Sequence, residues 1–165
     1  MTLTHLTIGF SILVALVACG SGTSDDPAQN ADTASQPQAA APEIVLGNGE
    51  ANWIIVEDVS RDHATLTFSE VRIDGNGWLV LHPFKDGKPV GELYVGHTYI
   101  EDGDNRNVEI TLDAEPAPGD MFLVMLHRDV NENQEFDFVF VDEVNVLDKA
   151  VFEGNTMIAH PIPVP

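Results

Sequence analysis

Between two apolar runs the chain carries Asp129-Val130-Asn131-Glu132-Asn133-Gln134-Glu135-Phe136-Asp137. Side-chain oxygens recur at the first, third, fifth and ninth places of this stretch, and Glu135 in the seventh can offer its carbonyl. Calcium collects about six to eight oxygens from a tight turn of this kind. Asp129, Asn131, Asn133, Glu135 and Asp137 are therefore a candidate calcium set, and Ca²⁺ is the cofactor this loop suggests. It is not an EF-hand, because the sixth place is Gln134 instead of Gly and the twelfth is Phe140 instead of Glu. The competing reading is a hairpin turn whose Asp and Asn side chains satisfy the turn's own backbone groups.

A second set combines His82, His97 and His127 with Met125. Imidazole with thioether suits copper, and imidazole with carboxylate suits zinc. Met125 shares a strand face with His127, two residues away. Strand-end histidines bound by local hydrogen bonds are the alternative. A third set, Trp53, Trp78, Tyr94 and Tyr99, would suit a carbohydrate-binding surface, against the usual placement of strand aromatics in the core.

Enzyme signatures are missing: the chain has no Gly-x-Ser-x-Gly elbow, no His-Glu-x-x-His and no phosphate-cradling glycine loop. The expectation is a non-enzyme.

The single cysteine, Cys19, closes the run Leu16-Val17-Ala18-Cys19 behind a short apolar segment, as at the end of a bacterial lipoprotein signal peptide. The apolar segment is too short to cross a bilayer, which takes about 20 residues. Met1 to Thr7 lack Lys and Arg, a departure from the usual positive start. Residues 1–18 are expected to be the signal, and Cys19 the lipidated residue that anchors the protein to a cell membrane or outer membrane, facing the periplasm or the exterior. Gly20, where Asp is the familiar inner-membrane retention signal, favours the outer membrane of a Gram-negative cell. With its one thiol acylated, the chain has no disulfide and no thiolate chemistry.

Residues 19–42 are rich in Ser, Ala, Gln, Asp and Pro and cannot bury a core, so they read as a disordered tether. Residues 43–165 have the length of one domain. They hold all seven basic residues and 24 of the 27 acidic ones, a net charge of −17. Such a surface disfavours nucleic acid and anionic lipid as partners. The membrane is reached through Cys19 alone, and a protein or glycan partner is left open.

The elements that must position these side chains read as strands. From Trp53 onward apolar residues alternate or cluster in short runs broken by Gly, Asp, Asn and Pro, and no window holds a 3.6-residue period. Candidate strands are 53–59, 64–73, 78–84, 91–100, 107–113, 121–127, 136–141, 149–153 and 156–160. About nine short strands predict an all-β, two-sheet antiparallel sandwich of immunoglobulin-like type. Residues 78–82 and 121–127 are apolar on both faces and should be central; with 136–141 they should form the middle of the core.

The ordered set Gly77-Trp78-Leu79-Val80-Leu81-His82, Val95-Gly96-His97-Thr98, Asn107 through Asp113 and Met125-Leu126-His127-Arg128-Asp129 resembles an uncharacterised domain of secreted surface proteins of halophilic archaea and bacteria. The resemblance spans roughly 56–161. It implies an extracellular β-sandwich and no known activity. Sequence alone thus points to a lipid-anchored extracytoplasmic binding or structural module, calcium-stabilised at 129–137, with a histidine-based copper or zinc protein and a carbohydrate-binding domain as alternatives.

Overall fold

A computed structural model of the chain describes residues 43–141 and 144–165. The predicted signal, Cys19 and the tether lie outside the described residues, as do Asp142 and Glu143. The described chain has no helix. In order its strands are β1 (Val45–Gly47), β2 (Trp53–Ile54), β3 (Ser60–Asp62), β4 (Thr65–Ile73), β5 (Gly77–Lys85), β6 (Lys88–Pro89), β7 (Gly96–Ile100), β8 (Gly103–Thr111), β9 (Met121–Asp129), β10 (Phe140–Val141), β11 (Val144–Asn145), β12 (Asp148–Ala150), β13 (Phe152–Glu153) and β14 (Thr156–Pro163).

Two sheets carry the fold, in keeping with the expected sandwich. In the larger, β5 and β9 run antiparallel at the centre, with Gly77 opposite Arg128 and Pro83 opposite Phe122. β7 flanks β5, while β14 and then β12 flank β9. The smaller sheet is built on β4, with β8 on one side and β2 and β3 on the other.

Alternation decides what each strand buries. Leu79 and Leu81 of β5 and Val124 and Leu126 of β9 face the smaller sheet, where Leu66, Phe68, Val71, Ile73 and Ile110 meet them in one fully or nearly fully buried cluster. Both β4 and β8 change phase near Ser69 and Asn107, and Asn107 takes a positive φ of 51° there. Gly77 lets β5 and β9 approach closely, since a Cβ on it would overlap the His127 carbonyl oxygen.

β5 and β9 are buried on their other face too. Gly77 through His82 and Phe122 through His127 are all buried, as their unbroken apolar runs predict. That second face carries Trp78, Val80 and His82 opposite His127, Met125 and Leu123.

The cover for this face corrects the expected core strand at 136–141. Only Phe140 and Val141 form a strand, paired with β11 and exposed. Phe136 and Phe138, half-buried, lie instead on the second face of β5 and β9. Their spacing of two mimics a strand, but the apolar outer face needs a roof and a loop brings it. The expected strands 53–59 and 91–100 are likewise shorter, reduced to β2 and β7.

Candidate functional site

The register of β5 and β9 places the two histidines at opposite ends of one short row. Trp78 is opposite His127, Val80 opposite Met125 and His82 opposite Leu123. The imidazoles therefore lean toward each other along the strands, and the Val80–Met125 pair is midway between them. Their Nε2 atoms are 3.2 Å apart. His82 is 0% and His127 2% exposed.

The other ring nitrogens settle which atoms carry protons. His82 Nδ1 is 2.6 Å from the Leu93 carbonyl and His127 Nδ1 is 2.8 Å from the Asp148 carbonyl. A carbonyl only accepts, so each ring must donate its Nδ1–H. In the neutral rings both Nε2 atoms are then bare acceptors, and their lone pairs face each other at 3.2 Å. Burial keeps the rings neutral. It lowers the pKa of His82 against the pull of the Leu93 carbonyl, and lowers that of His127 to about 4 against the Asp148 carbonyl.

Aromatic rings close over the pair. Phe138 lies 5.8 Å from His82 and 6.1 Å from His127, centroid to centroid, and Phe136 meets His127 edge-on. His97, opposite Val80 on β7, stacks on Phe136 at 4.6 Å and meets Trp78 edge-on. The structure thus brings His82, His127 and Met125 into one row and sets His97 against the Phe136 ring. Among the described residues no three His, Cys, Asp or Glu side chains converge as a metal cluster. A cavity of about 380 Å³ reaches His127 and Met125, lined also by Phe140, Asn145 and Phe152.

Of the four aromatic residues read as a sugar surface, Trp78, Tyr94 and Tyr99 belong to this cluster. Trp53 is on the other sheet, beneath Arg72.

The acidic loop divides in two. Asn131, Asn133 and Glu135 are exposed. The Asn131 and Asn133 amides donate to Asp137 Oδ2 and hold the Asp137 pKa below the usual range, and Asn133 Oδ1 accepts the Glu135 N–H. Asp129 behaves differently: it is buried, accepts the Gln134 N–H through Oδ2, and has no partner at Oδ1. It sits directly opposite Asp148, which is also buried, bonded to the Asp137 N–H through Oδ2 and unpartnered at Oδ1.

The sequence profile of a domain of unknown function, DUF7282, matches residues 52–162. The chain belongs to the DUF7282 family. No curated protein and no solved structure matches it.

The DUF7282 domain contains two functional candidates that sequence reasoning missed, Asp148 and the Leu93 carbonyl. Each is brought in by a pairing or loop contact remote in sequence. Asp148 alone left a trace, as one acidic residue among many.

Burial of the histidine gives the domain a pH signature. His127 at about 4 binds its proton later than the unfolded chain, near 6.5, so its share of stability falls as pH drops from about 6.5 toward 4. Asp148 opposes this: burial raises its carboxyl to about 6 from 3.8, so the folded state protonates first and gains stability as pH falls through 6 toward 4. Replacing His127 by Gln removes the first effect only. In metal-free protein, the urea midpoint of H127Q relative to the unmodified domain should rise as pH falls from 7 to 5. A constant difference across that range contradicts a buried neutral His127.

Proposed function

We propose that this domain is a lipid-anchored, extracytoplasmic metal-binding module in which His82 and His127 hold a soft monovalent ion of the copper(I) kind, with Met125 as third ligand. The observation that carries this reading is the facing of the two Nε2 atoms at 3.2 Å, with the Nδ1 of each ring against a main-chain carbonyl. Metal–imidazole bonds of about 2.0–2.1 Å spanning that separation of 3.2 Å subtend about 99–106°, near a tetrahedral angle. Holding a ligating imidazole by its second nitrogen is the usual way a protein fixes ring orientation for a metal.

The choice of ion follows from charge and softness. The three side chains are neutral and the surrounding rings are apolar, so a singly charged ion loses far less solvation on entry than a doubly charged one. Thioether and imidazole together favour Cu(I). The cavity at Met125 and His127 supplies an approach, and the net charge of −17 draws cations toward the surface.

The tether reading rests on Cys19 and the segment before it. A chain held by several acyl groups stays on the membrane, since two or more anchor stably where one does not.

Competition against a colorimetric Cu(I) chelator, repeated with Ag(I) as a redox-inert stand-in, should give one ion per chain. His82→Ala and His127→Ala should each weaken binding by at least about 10–100-fold, the loss typical of removing even a supporting partner. His97→Ala should leave it nearly unchanged. Binding that is absent, or indifferent to both histidines, contradicts the site. Separately, Cys19→Ser should move the protein from the membrane to the soluble fraction of a cell extract, whereas unaltered membrane association contradicts the anchor.

A further inference from the structure

The buried carboxylates of Asp129 and Asp148 are not explained by the histidine pair. They face each other across β9 and β12, where directly opposed side chains have Cβ atoms about 4.5–5.5 Å apart and like charges repel. Exposure is 4% at Asp129 and 0% at Asp148. Each keeps one oxygen, Oδ1, buried with no hydrogen-bond partner. A buried, unpaired charge is costly enough that proteins pair it or coordinate it to a metal.

Among the described residues nothing cationic answers them. The Lys and Arg residues are seven in number. Arg61, Arg72, Arg106 and Arg128 pair with Glu115, Asp104, Glu70 and Asp74. Lys149 lies between Asp148 and Ala150 on β12, so its side chain points to the opposite face, and it is exposed. Lys85 and Lys88 are exposed at the far end of β5.

The loop that follows β9 is tied to this pair through its backbone. The Asp137 N–H donates to Asp148 Oδ2, and the charges of Asp129 and Asp137 both act on Asp148. Asp137 holds its asparagine partners through Oδ2 alone.

We propose that Asp129 and Asp148 bind a calcium ion at the root of the 130–141 segment, the two carboxylates acting as a pair. The donors are all oxygen, the ligand type of a hard cation, and loop carbonyls and water can complete the six to eight that calcium takes. Asn131, Asn133 and Glu135 of the loop are not ligands in this arrangement; they shape the turn around Asp137. The ion is distinct from the one assigned to the imidazoles, but it braces the same roof. The loop it closes carries Phe136 and Phe138, and the main chain of Asp148 holds His127 Nδ1.

Trp78 makes the location testable. It is directly opposite His127, whose Nδ1 is held by the Asp148 main chain, so an ion held at the Asp148 carboxyl is within range to receive energy from the ring. Terbium, a luminescent substitute for calcium, is added to the full chain and the tryptophans are excited. The expected result is sensitised emission that calcium displaces, that persists in Trp53→Phe and that is lost in Trp78→Phe. Calcium titration of Asp129→Asn and Asp148→Asn should then show affinity weakened about tenfold or more. Emission that is absent, or unchanged in W78F, overturns the proposal, as does calcium affinity unaltered in both Asn variants. Should either Asn variant fail to fold, the terbium measurement on the unmodified chain and W78F decides alone. His82→Ala should leave the emission intact, which separates this ion from the copper reading.

Discussion

Two acceptor nitrogens pressed together inside a protein are an unfavourable arrangement, and much of the second face of the larger sheet is organised around one. His82 and His127 each give their only N–H to a main-chain carbonyl, from the 91–95 segment in one case and from β12 in the other. Their bare Nε2 atoms are held 3.2 Å apart in a place that water scarcely reaches. An unsatisfied buried acceptor costs about 1–3 kcal/mol. Neither ring can turn to relieve this without breaking its carbonyl bond, so the strain is held in place by contacts from two separate parts of the chain.

The fold supplies those contacts because β5 and β9 are buried on both faces. Their inner face builds the core with β4 and β8, and this fixes the strand register and with it the diagonal placement of the two histidines. Gly77 keeps the strands close at the Trp78–His127 end. Their outer face is apolar and must be covered, and the segment after β9 covers it with Phe136 and Phe138. The same segment returns as β12, which places the Asp148 carbonyl on His127 and the Asp148 carboxyl against Asp129. One excursion of the chain thus roofs the imidazole pair, orients one of its rings and gathers the buried carboxylates.

Much of this architecture was legible in the sequence, for a physical reason. Strands that alternate at β4, or that are apolar throughout at β5 and β9, state their burial directly, and the all-β sandwich follows from them. The run 136–141 misled because three phenylalanines at a spacing of two look the same in a strand and in a flap laid over a sheet. His82, His127 and Met125 could be placed on strand faces, but their meeting depends on the register between strands some 45 residues apart, which no local pattern encodes. Asp148 was harder still. Among 27 acidic residues nothing local distinguishes the one that pairing with β9 buries, whereas the conspicuous oxygens at 131, 133 and 135 sit at the surface.

The central claim is that both rings carry their proton on Nδ1 and present bare Nε2 atoms to each other. Long-range ¹⁵N–¹H correlation spectra of the imidazoles in metal-free protein near pH 7 read this directly. The account predicts that His82 and His127 both show the Nδ1–H tautomer, with Nε2 at the shift of an unprotonated nitrogen, and that added Ag(I) moves both Nε2 signals together. A proton on Nε2 of either ring would mean that the two histidines share an ordinary hydrogen bond, and the metal-clamp reading would fail.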